Sequence, residues 1–287
     1  MIPIKDNIPT LRFPILTVLL IVANLVVFGW QVHFSSSAYS NPQFRELGIS
    51  EQDQNTLTYG AIPYRLTHPG KECAVGATAK GQALQATVVC QGTAAYSQAR
   101  KLGAEGAAPF QALDSPPWWA TVFTSMFLHG GFLHIAFNML FLWIFGNNVE
   151  DSMGRPRFLL FYLLAGVVAA YTQALLTAGS TVPTIGASGA IAGVLGGYLL
   201  LYPRARVLTV LLIIFFVTII EIPASILLAL WFFLQFVPAL GQVTTSVAGS
   251  EGIAYWAHVG GFVFGLAAIK LFANRYRAKE LESSGFA

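Results

Sequence analysis

Three short segments of the chain carry side chains that can act in catalysis: GASG with Ser188, HIAFN with His134 and Asn138, and AHVGG with His258. A serine hydroxyl becomes an effective nucleophile when a neighbouring base takes its proton, and histidine suits that role near neutral pH. These residue types therefore predict acyl transfer, with Ser188 as the nucleophile and His258 as its base.

Acyl transfer also needs hydrogen-bond donors for the oxyanion that develops on the substrate. The first turn of a helix offers unpaired backbone N–H groups and the positive end of the helix dipole, and Ser188 stands where an apolar segment begins. His134 and Asn138 are spaced i, i+4, so they share one helix face and could supply side-chain donors. Gly186 and Gly189 permit tight backbone geometry and close approach of a peptide.

The same segments offer neither a third catalytic group nor a metal site. The apolar segments are membrane spans, and the halves of them that face the extracytoplasmic side contain no Asp. This absence predicts a Ser–His dyad rather than a triad. No HExxH motif occurs, and His129 and His134, at i, i+5, do not share a helix face. We therefore expect no metal, and we expect His129 at the membrane interface.

Each of these residues also has a structural explanation. Repeated GxxxG steps are typical of close helix packing in membranes. They comprise Gly189, Gly193 and Gly197 in one segment, and Gly261 and Gly265 in another. Taken alone, Ser188 would be a packing or capping serine, His258 a structural hydrogen-bonding group and Asn138 a contact between helices. Packing and catalysis are compatible, because the glycines could bring Ser188 within reach of His258.

The elements that must hold these residues are membrane helices. Of the 287 residues, 55% are hydrophobic and 10% charged, against about 25% charged in soluble domains, and the mean hydropathy is +0.62. The net charge of +3 is too small and too scattered to indicate a nucleic-acid partner. The candidate spans are Phe13–Val32, Thr121–Asn147, Phe158–Thr177, Ala187–Tyr202, part of Val207–Leu240, and Ile253–Phe272.

The fifth of these segments is too long for one straight crossing. At ~1.5 Å per residue, Val207–Leu240 would extend for ~51 Å as a helix. Glu221 and Pro223 interrupt it. We therefore expect a surface-lying or re-entrant first part, followed by a true crossing near Ala224–Leu240.

The charges of the loops predict the orientation. Six crossings put the N-terminus, the loops near 148–157 and 203–206 and the C-terminal tail on one side, which carries nine Lys and Arg residues. The short loops on the other side, 178–186 and 241–252, carry none. By the positive-inside rule both termini are cytoplasmic, and the chain is a multi-pass protein of the cell membrane.

This topology brings the candidate residues to one depth. Ser188, His258 and the pair formed by His134 and Asn138 lie near the outer ends of three different helices. Polar groups at membrane depth normally face a bundle interior or a water-filled cavity. Their common depth favours a catalytic site over unrelated packing roles.

The segment 33–117, between the first two spans, is polar and forms an extracytoplasmic insert in this topology. It holds both cysteines, Cys73 and Cys90, and an oxidising compartment favours a disulfide between them. Its composition predicts a loop-rich insert with some strand. The remaining divisions are a cytoplasmic N-terminus with the first helix (1–32), a catalytic core of helices two to six (118–272) and a cytoplasmic tail (273–287).

At these motifs the sequence resembles the rhomboid family of intramembrane serine proteases. The H-x-x-x-N motif of that family lies in HGGFLHIAFNMLFLWIFGNNVED (129–151), its G-x-S-G nucleophile motif is GASG (186–189), and its A-H-x-x-G motif lies in AHVGGFVFG (257–265). The motifs occur in the family's order, on the second, fourth and sixth helices. The resemblance covers about residues 118–272.

The resemblance implies an all-α membrane protein with a core of six transmembrane helices, in which Ser188 attacks and His258 is general base and then general acid. His134, Asn138 and the backbone N–H of Ser188 would form the oxyanion hole, and no cofactor is used. Substrates would be transmembrane proteins cut within or beside their membrane segment. They would reach the site from the lipid bilayer past a mobile fifth helix, where Trp231–Phe233 are gate residues by position.

The sequence departs from the family pattern in two places. Some relatives carry a tyrosine four residues after the nucleophile to stack on the histidine, where this chain has Ala192. Another residue must therefore hold His258. Many relatives carry Trp-Arg in the loop before the second helix, where this chain has Ala120–Thr121.

The competing hypothesis is a non-catalytic polytopic protein, either a transporter or a rhomboid-like pseudoprotease that binds membrane clients. Transporters often contain inverted repeats, and the chain shows no such symmetry. A pseudoprotease would be expected to have lost the serine or the histidine, and both are present. The sequence leaves the oligomeric state open.

Overall fold

The computed structural model of the chain describes residues 1–33, 50–80, 83–213, 216–244 and 253–274. Its helices are α1 (Ile15–His33), α2 (Glu51–Tyr59), α3 (Pro63–Thr67), α4 (Ala94–Ala104), α5 (Trp118–Thr124), α6 (Phe132–Met153), α7 (Arg155–Leu176), α8 (Ser188–Leu201), α9 (Ala224–Thr244) and α10 (Tyr255–Phe272). Its strands are β1 (Ile2–Asp6), β2 (Cys73–Lys80), β3 (Ala83–Cys90), β4 (Phe110–Ala112), β5 (Arg206–Ile213) and β6 (Phe216–Pro223).

Most of the long helices are membrane helices. Within the described residues, α1, α6, α7, α9 and α10 are long and apolar enough to cross a membrane, and α8 is a shorter apolar helix of 14 residues. The protein is therefore a multi-pass membrane protein. These helices lie where the hydrophobic runs predict them, including α9, which begins directly after Pro223.

The second predicted span differs from the structure at both ends. The helix α6 begins at Phe132 rather than Thr121, and it continues to Met153. Upstream of it, α5 and a 3-10 turn form a separate, bent segment. The break falls at Gly130–Gly131, because glycine is the poorest helix former after proline.

The described residues are mostly helical but also form two three-stranded antiparallel sheets, of which the one in the insert agrees with the strand expected there and the other departs from the expected all-α core. In one of them the N-terminal strand β1 pairs with β5, and β5 turns back into β6. The segment before α9 is rich in valine and isoleucine, which favour strands. The surface-lying or re-entrant segment expected there is therefore a β-hairpin. Its edge strand β6 is exposed on both faces, at Val217 and at Ile220.

The second sheet, of order β3–β2–β4, lies in the segment between α1 and α5. Cys73 lies opposite Cys90 across β2 and β3, and a disulfide joins them, the pairing expected from the sequence. This segment also contacts the loop that leads to Ser188, because Ala61 and Thr184 exchange two backbone hydrogen bonds of 3.1 and 2.8 Å.

The helix α8 occupies the centre of the bundle, with every residue from Gly189 to Tyr198 buried. It packs against α7 and, more extensively, against α10. A Cβ added to Gly261 would meet the backbone oxygen of Gly189, and one added to Gly265 would meet that of Gly193. Glycine alone allows two main chains to approach this closely. The GxxxG pattern thus predicts the packing correctly, and we call the contact through these four glycines the glycine seam.

Buried carboxylates tie helix ends together at the other end of α8. The carboxylate of Asp6 accepts hydrogen bonds from Asn148 Nδ2 (2.6 Å) and from the Tyr198 hydroxyl (2.5 Å). The carboxylate of Glu150 accepts from both the backbone N–H and the hydroxyl of Thr17, at 2.8 Å each. The N-terminal strand, α1, α6 and α8 are thereby linked by polar contacts that no local sequence pattern predicts.

Candidate active site

Ser188 and His258 meet where α8 and α10 both begin. Ser188 is the first residue of α8, and His258 lies in the first turn of α10. The glycine seam holds the two helices side by side, so their first turns are neighbours. Nε2 of His258 lies 2.7 Å from Oγ of Ser188, which is a hydrogen-bonding distance for a base and the hydroxyl that it would deprotonate.

The other ring nitrogen of His258 contacts a third helix. Its Nδ1 lies 2.8 Å from Oε1 of Gln235, in the middle of α9. The indole of Trp231, one turn earlier on α9, packs with its centroid 5.9 Å from that of the imidazole. These contacts hold the histidine in a chain that has Ala192 in place of a stacking tyrosine.

Gln235 is the residue of this site that the sequence analysis missed. Its signal is present, since it is the one polar side chain in the run of residues 226–241. A polar side chain at membrane depth normally faces a cavity or the bundle interior. That rule, applied to α9 as it was to the other helices, points to Gln235.

His134 and Asn138 lie on α6 and line the same cavity as Ser188. The backbone N–H of Gly130 donates to Nδ1 of His134 (3.3 Å), so the ring proton of a neutral imidazole is on Nε2. Nδ2 of Asn138 is buried and has no hydrogen-bond partner within the described part of the chain. Because native proteins rarely leave a buried donor unpaired, Asn138 offers a hydrogen bond to a bound group.

Gly186 lies between the ring of His134 and the hydroxyl of Ser188. Its φ of +116° is a conformation that L side chains rarely adopt. A Cβ at this position would lie 2.8 Å from Nε2 of His134 and 3.6 Å from Oγ of Ser188, so both border the space in front of the glycine. No side chain caps the N-terminus of α8, whose N-cap is Ala187. The ring of His134 and the uncapped first turn of α8 therefore border the same space beside the hydroxyl.

The other motif glycine, Gly189, lies in the helix packing that its GxxxG spacing predicts. A Cβ added to it would lie 2.6 Å from Cβ of Ala169 on α7, and its backbone oxygen lies in the glycine seam. Gly189 therefore serves helix packing, and it also lines the cavity around Ser188.

An open cavity of about 940 Å³ surrounds the site. Its walls are largely apolar and include Phe137 of α6 and both Trp231 and Leu234 of α9. The residues Trp231–Phe233, expected to act as a gate, thus face different ways. Trp231 lines the cavity, whereas Phe233 is 59% exposed on the outer surface of α9.

His129, which the sequence predicts at the membrane interface, has a fully buried side chain. Its ring packs against that of His134, with 5.0 Å between the centroids. Its backbone N–H donates to Oε1 of Gln31 on α1 (3.0 Å). Burial lowers the pKa of His129 to about 4, so it is neutral at pH 7. His129 therefore supports His134 from behind.

Comparisons with known proteins agree with these features. A family model described as a Rhomboid domain matches residues 116–275, more than half of the chain. The chain is 42% identical over 98 residues to "Rhomboid protease GluP" of Bacillus subtilis, covering 34% of this chain and 18% of that protein. It is 27% identical over 176 residues to "Rhomboid protein 1, mitochondrial" of Saccharomyces cerevisiae, covering 58% and 46%.

A third relative is "Putative rhomboid protease YdcA" of Bacillus subtilis, 37% identical over 82 residues, which cover 29% of this chain and 40% of that protein. In each of the three alignments the chain spans less than half of the relative's own length. The matched segment 116–275 contains Ser188, His258, His134 and Asn138. With a family model covering most of its membrane helices, the chain belongs to the Rhomboid family.

Proposed function

We propose that this protein is an intramembrane serine endopeptidase that cleaves transmembrane protein substrates within or near their membrane segment by a Ser188–His258 dyad. The observation that carries the proposal is the 2.7 Å contact between Oγ of Ser188 and Nε2 of His258. Membership of a family that includes named proteases supports it.

In the proposed reaction His258 takes the hydroxyl proton as Ser188 Oγ attacks the carbonyl carbon of the scissile peptide bond. The tetrahedral intermediate collapses when the imidazolium gives that proton to the leaving amine, which leaves an acyl-enzyme. Water then attacks the ester, passes a proton to His258, and releases the acid product as the proton returns to Ser188. The dyad is thus regenerated with no net change in protons on the enzyme.

The developing oxyanion would be held by His134 Nε2–H, Asn138 Nδ2 and the backbone N–H of Ser188. The unpartnered amide of Asn138 and the proton assigned to Nε2 of His134 support this role. Loss of one such donor typically lowers kcat by about 10²–10³-fold. The reaction assigned to these groups needs no cofactor.

The substrate class follows from the walls of the cavity. An apolar cavity between α6 and α9, in a protein whose helices lie in the bilayer, suits a polypeptide that arrives from the lipid rather than from water. Trp231 is the α9 side chain that such a substrate would pass on its way to Ser188.

We also propose a membrane topology of six crossings. The short α8 counts as a sixth crossing, since its 14 residues span about 21 Å of a roughly 30 Å hydrocarbon core and so leave its first turn within reach of water. Both termini are cytoplasmic, and the membrane is the cell membrane. Residues 1–32 form the N-terminus and the first helix, residues 118–272 the catalytic core, and residues 273–287 the cytoplasmic tail. The insert 33–117 is extracytoplasmic, which its disulfide supports.

Parts of this topology rest on sequence alone. Residues 34–49 of the insert, 245–252 of the loop before α10 and 275–287 of the tail lie outside the described residues.

The test is cleavage of a transmembrane reporter by the purified protein in vesicles, together with labelling by a fluorophosphonate probe. Ser188→Ala is expected to abolish both, and Ser180→Ala, in a loop outside the cavity, should leave both unchanged. Cleavage that persists in purified Ser188→Ala would refute the proposal. An intact protein that neither cleaves nor reacts with the probe would favour a non-catalytic polytopic protein, such as a transporter or a pseudoprotease that binds membrane clients.

A further inference from the structure

Gln235 takes no part in the reaction steps proposed above, yet it touches the proposed base. Its Oε1 lies 2.8 Å from Nδ1 of His258, while Nε2 of the same ring lies 2.7 Å from Oγ of Ser188. We propose that Gln235 is a positioning residue, which holds His258 in the orientation and tautomer that let it accept the proton of Ser188. This inference rests on the proposed protease function and deepens it.

The tautomer follows from the partners of the two ring nitrogens. A neutral imidazole carries one proton, and an amide oxygen can only accept a hydrogen bond. The proton therefore sits on Nδ1, where it is donated to Gln235 Oε1. Nε2 then keeps its lone pair and can accept the proton of the Ser188 hydroxyl. The opposite tautomer would set two lone pairs against each other at Nδ1 and would leave Ser188 facing an N–H group.

Other groups near His258 do not supply this acceptor. The titratable side chains that face the imidazole are His134, across the cavity on α6, and Tyr255, whose ring meets that of His258 edge-on at 6.5 Å on α10 itself. Neither contact is a hydrogen bond to Nδ1. Trp231 packs against the ring and restricts its tilt, but an indole cannot accept a hydrogen bond. Within the described residues, the tautomer is therefore set by Gln235.

The helix that carries Gln235 is less enclosed than the other membrane helices. Only 22% of its apolar span is buried, against 28% for α1 and 39–50% for α6, α7 and α10. Pro238, three residues after Gln235, has no N–H to donate to the carbonyl of Leu234, so the helical hydrogen bonds are interrupted there. The orientation of His258 thus depends on where α9 lies, whereas the contact of His258 with Ser188 depends on the glycine seam.

The test compares two substitutions of Gln235 with a control on the same helix. Gln235→Met keeps the length of the side chain and removes the acceptor. It should lower kcat about tenfold or more with KM little changed, a factor matching the loss of one intramolecular hydrogen bond. Gln235→Glu retains an acceptor and should keep most of the activity. Its carboxylate also favours the imidazolium, so the acid limb of the kcat/KM profile should move to higher pH. Val237→Met, on the exposed side of α9, should match the parent.

The inference is overturned if Gln235→Met keeps the parent kcat and pH profile. It is also overturned if Gln235→Met and Gln235→Glu lose activity equally with no change in the profile, since that pattern indicates packing alone. Failure of the protease proposal looks different, because Ser188→Ala would then cleave as well as the parent.

A measurement on the unsubstituted protein keeps the inference testable if the variants unfold. The ¹⁵N shifts of the His258 ring, assigned by the signals lost in His258→Asn, should report a proton on Nδ1. A proton on Nε2 at neutral pH would contradict the proposed role of Gln235, whatever the protein cleaves.

Discussion

Replacing Asn138 by leucine should raise stability while it destroys activity. Nδ2 of Asn138 is buried without a partner among the described residues, and such a donor costs about 1–3 kcal/mol. Leucine has the same branched side-chain skeleton without a polar atom, and the cavity that Asn138 lines has room for its larger methyl groups, so the free energy of unfolding should rise by about 1–2 kcal/mol. The same change removes a proposed oxyanion donor, which should lower kcat by about 10²–10³-fold, equivalent to about 3–4 kcal/mol of transition-state stabilisation.

Asn148→Leu is the matched control, because it makes the same substitution further along α6. The amide of Asn148 does have a partner, since Nδ2 donates to the Asp6 carboxylate at 2.6 Å. Breaking a hydrogen bond to a charged group costs about 1.5–3 kcal/mol, so this variant should be less stable than the parent. Its kcat per folded molecule should be unchanged, because Asn148 lies at the end of the bundle away from Ser188.

Thermal unfolding in one detergent, with reporter cleavage measured on the same preparations, gives both quantities. The two variants should change stability in opposite directions, and only Asn138→Leu should lose kcat. If Asn138→Leu proves less stable than the parent, Nδ2 is satisfied in the resting protein and the argument from the unpaired donor fails. If it keeps kcat, Asn138 is no oxyanion donor.

Three further predictions concern the backbone and the far end of the bundle. Gly186→Ala should lower kcat in the reporter assay more than tenfold and lower the free energy of unfolding by about 1–3 kcal/mol, because Gly186 has a positive φ. Gly179→Ala, in open space on the same loop, should change neither quantity. Gly265→Ala should lower the unfolding temperature, since its Cβ meets main-chain atoms of α8. Burial raises the pKa of Asp6 from 3.8 to about 6, so the folded protein holds this proton more tightly than the unfolded chain. The free energy of unfolding should therefore fall by up to roughly 3 kcal/mol as pH rises from about 4 through 6, and Asp6→Asn should remove that fall in a pH series of unfolding curves.

The membrane helices and the motif residues could be predicted because their signals are local. Apolar runs of membrane length give the helices, and Ser188, His134 and His258 stand out by residue type at a common depth. Glycines at intervals of four residues gave the packing of α8 on α10, and Gly196, which lies outside that pattern, also meets the backbone of Phe262.

The remaining features depend on contacts between distant parts of the chain. The strand β1 exists because it pairs with β5, about 200 residues later, and an apolar run alone does not distinguish such a hairpin from a helix. The partner of His258 is Gln235, whose role appears only when α9 is set beside α10. The bend at Gly130–Gly131 was visible as two weak helix formers, but its consequence, the separation of His129 from α6, required the tertiary structure.

The glycine seam has a consequence for how accurately the site is built. Where side chains separate two helices, the spacing between them varies with each rotamer and each substitution. Here the carbonyls of Gly189 and Gly193 meet Gly261 and Gly265 directly, so the spacing is set by van der Waals contact between the two main chains. We expect the alignment of serine and histidine to change little with the surrounding lipid and with temperature. The relative position of α8 and α10 can therefore change very little, whereas the position of the less buried α9 can change.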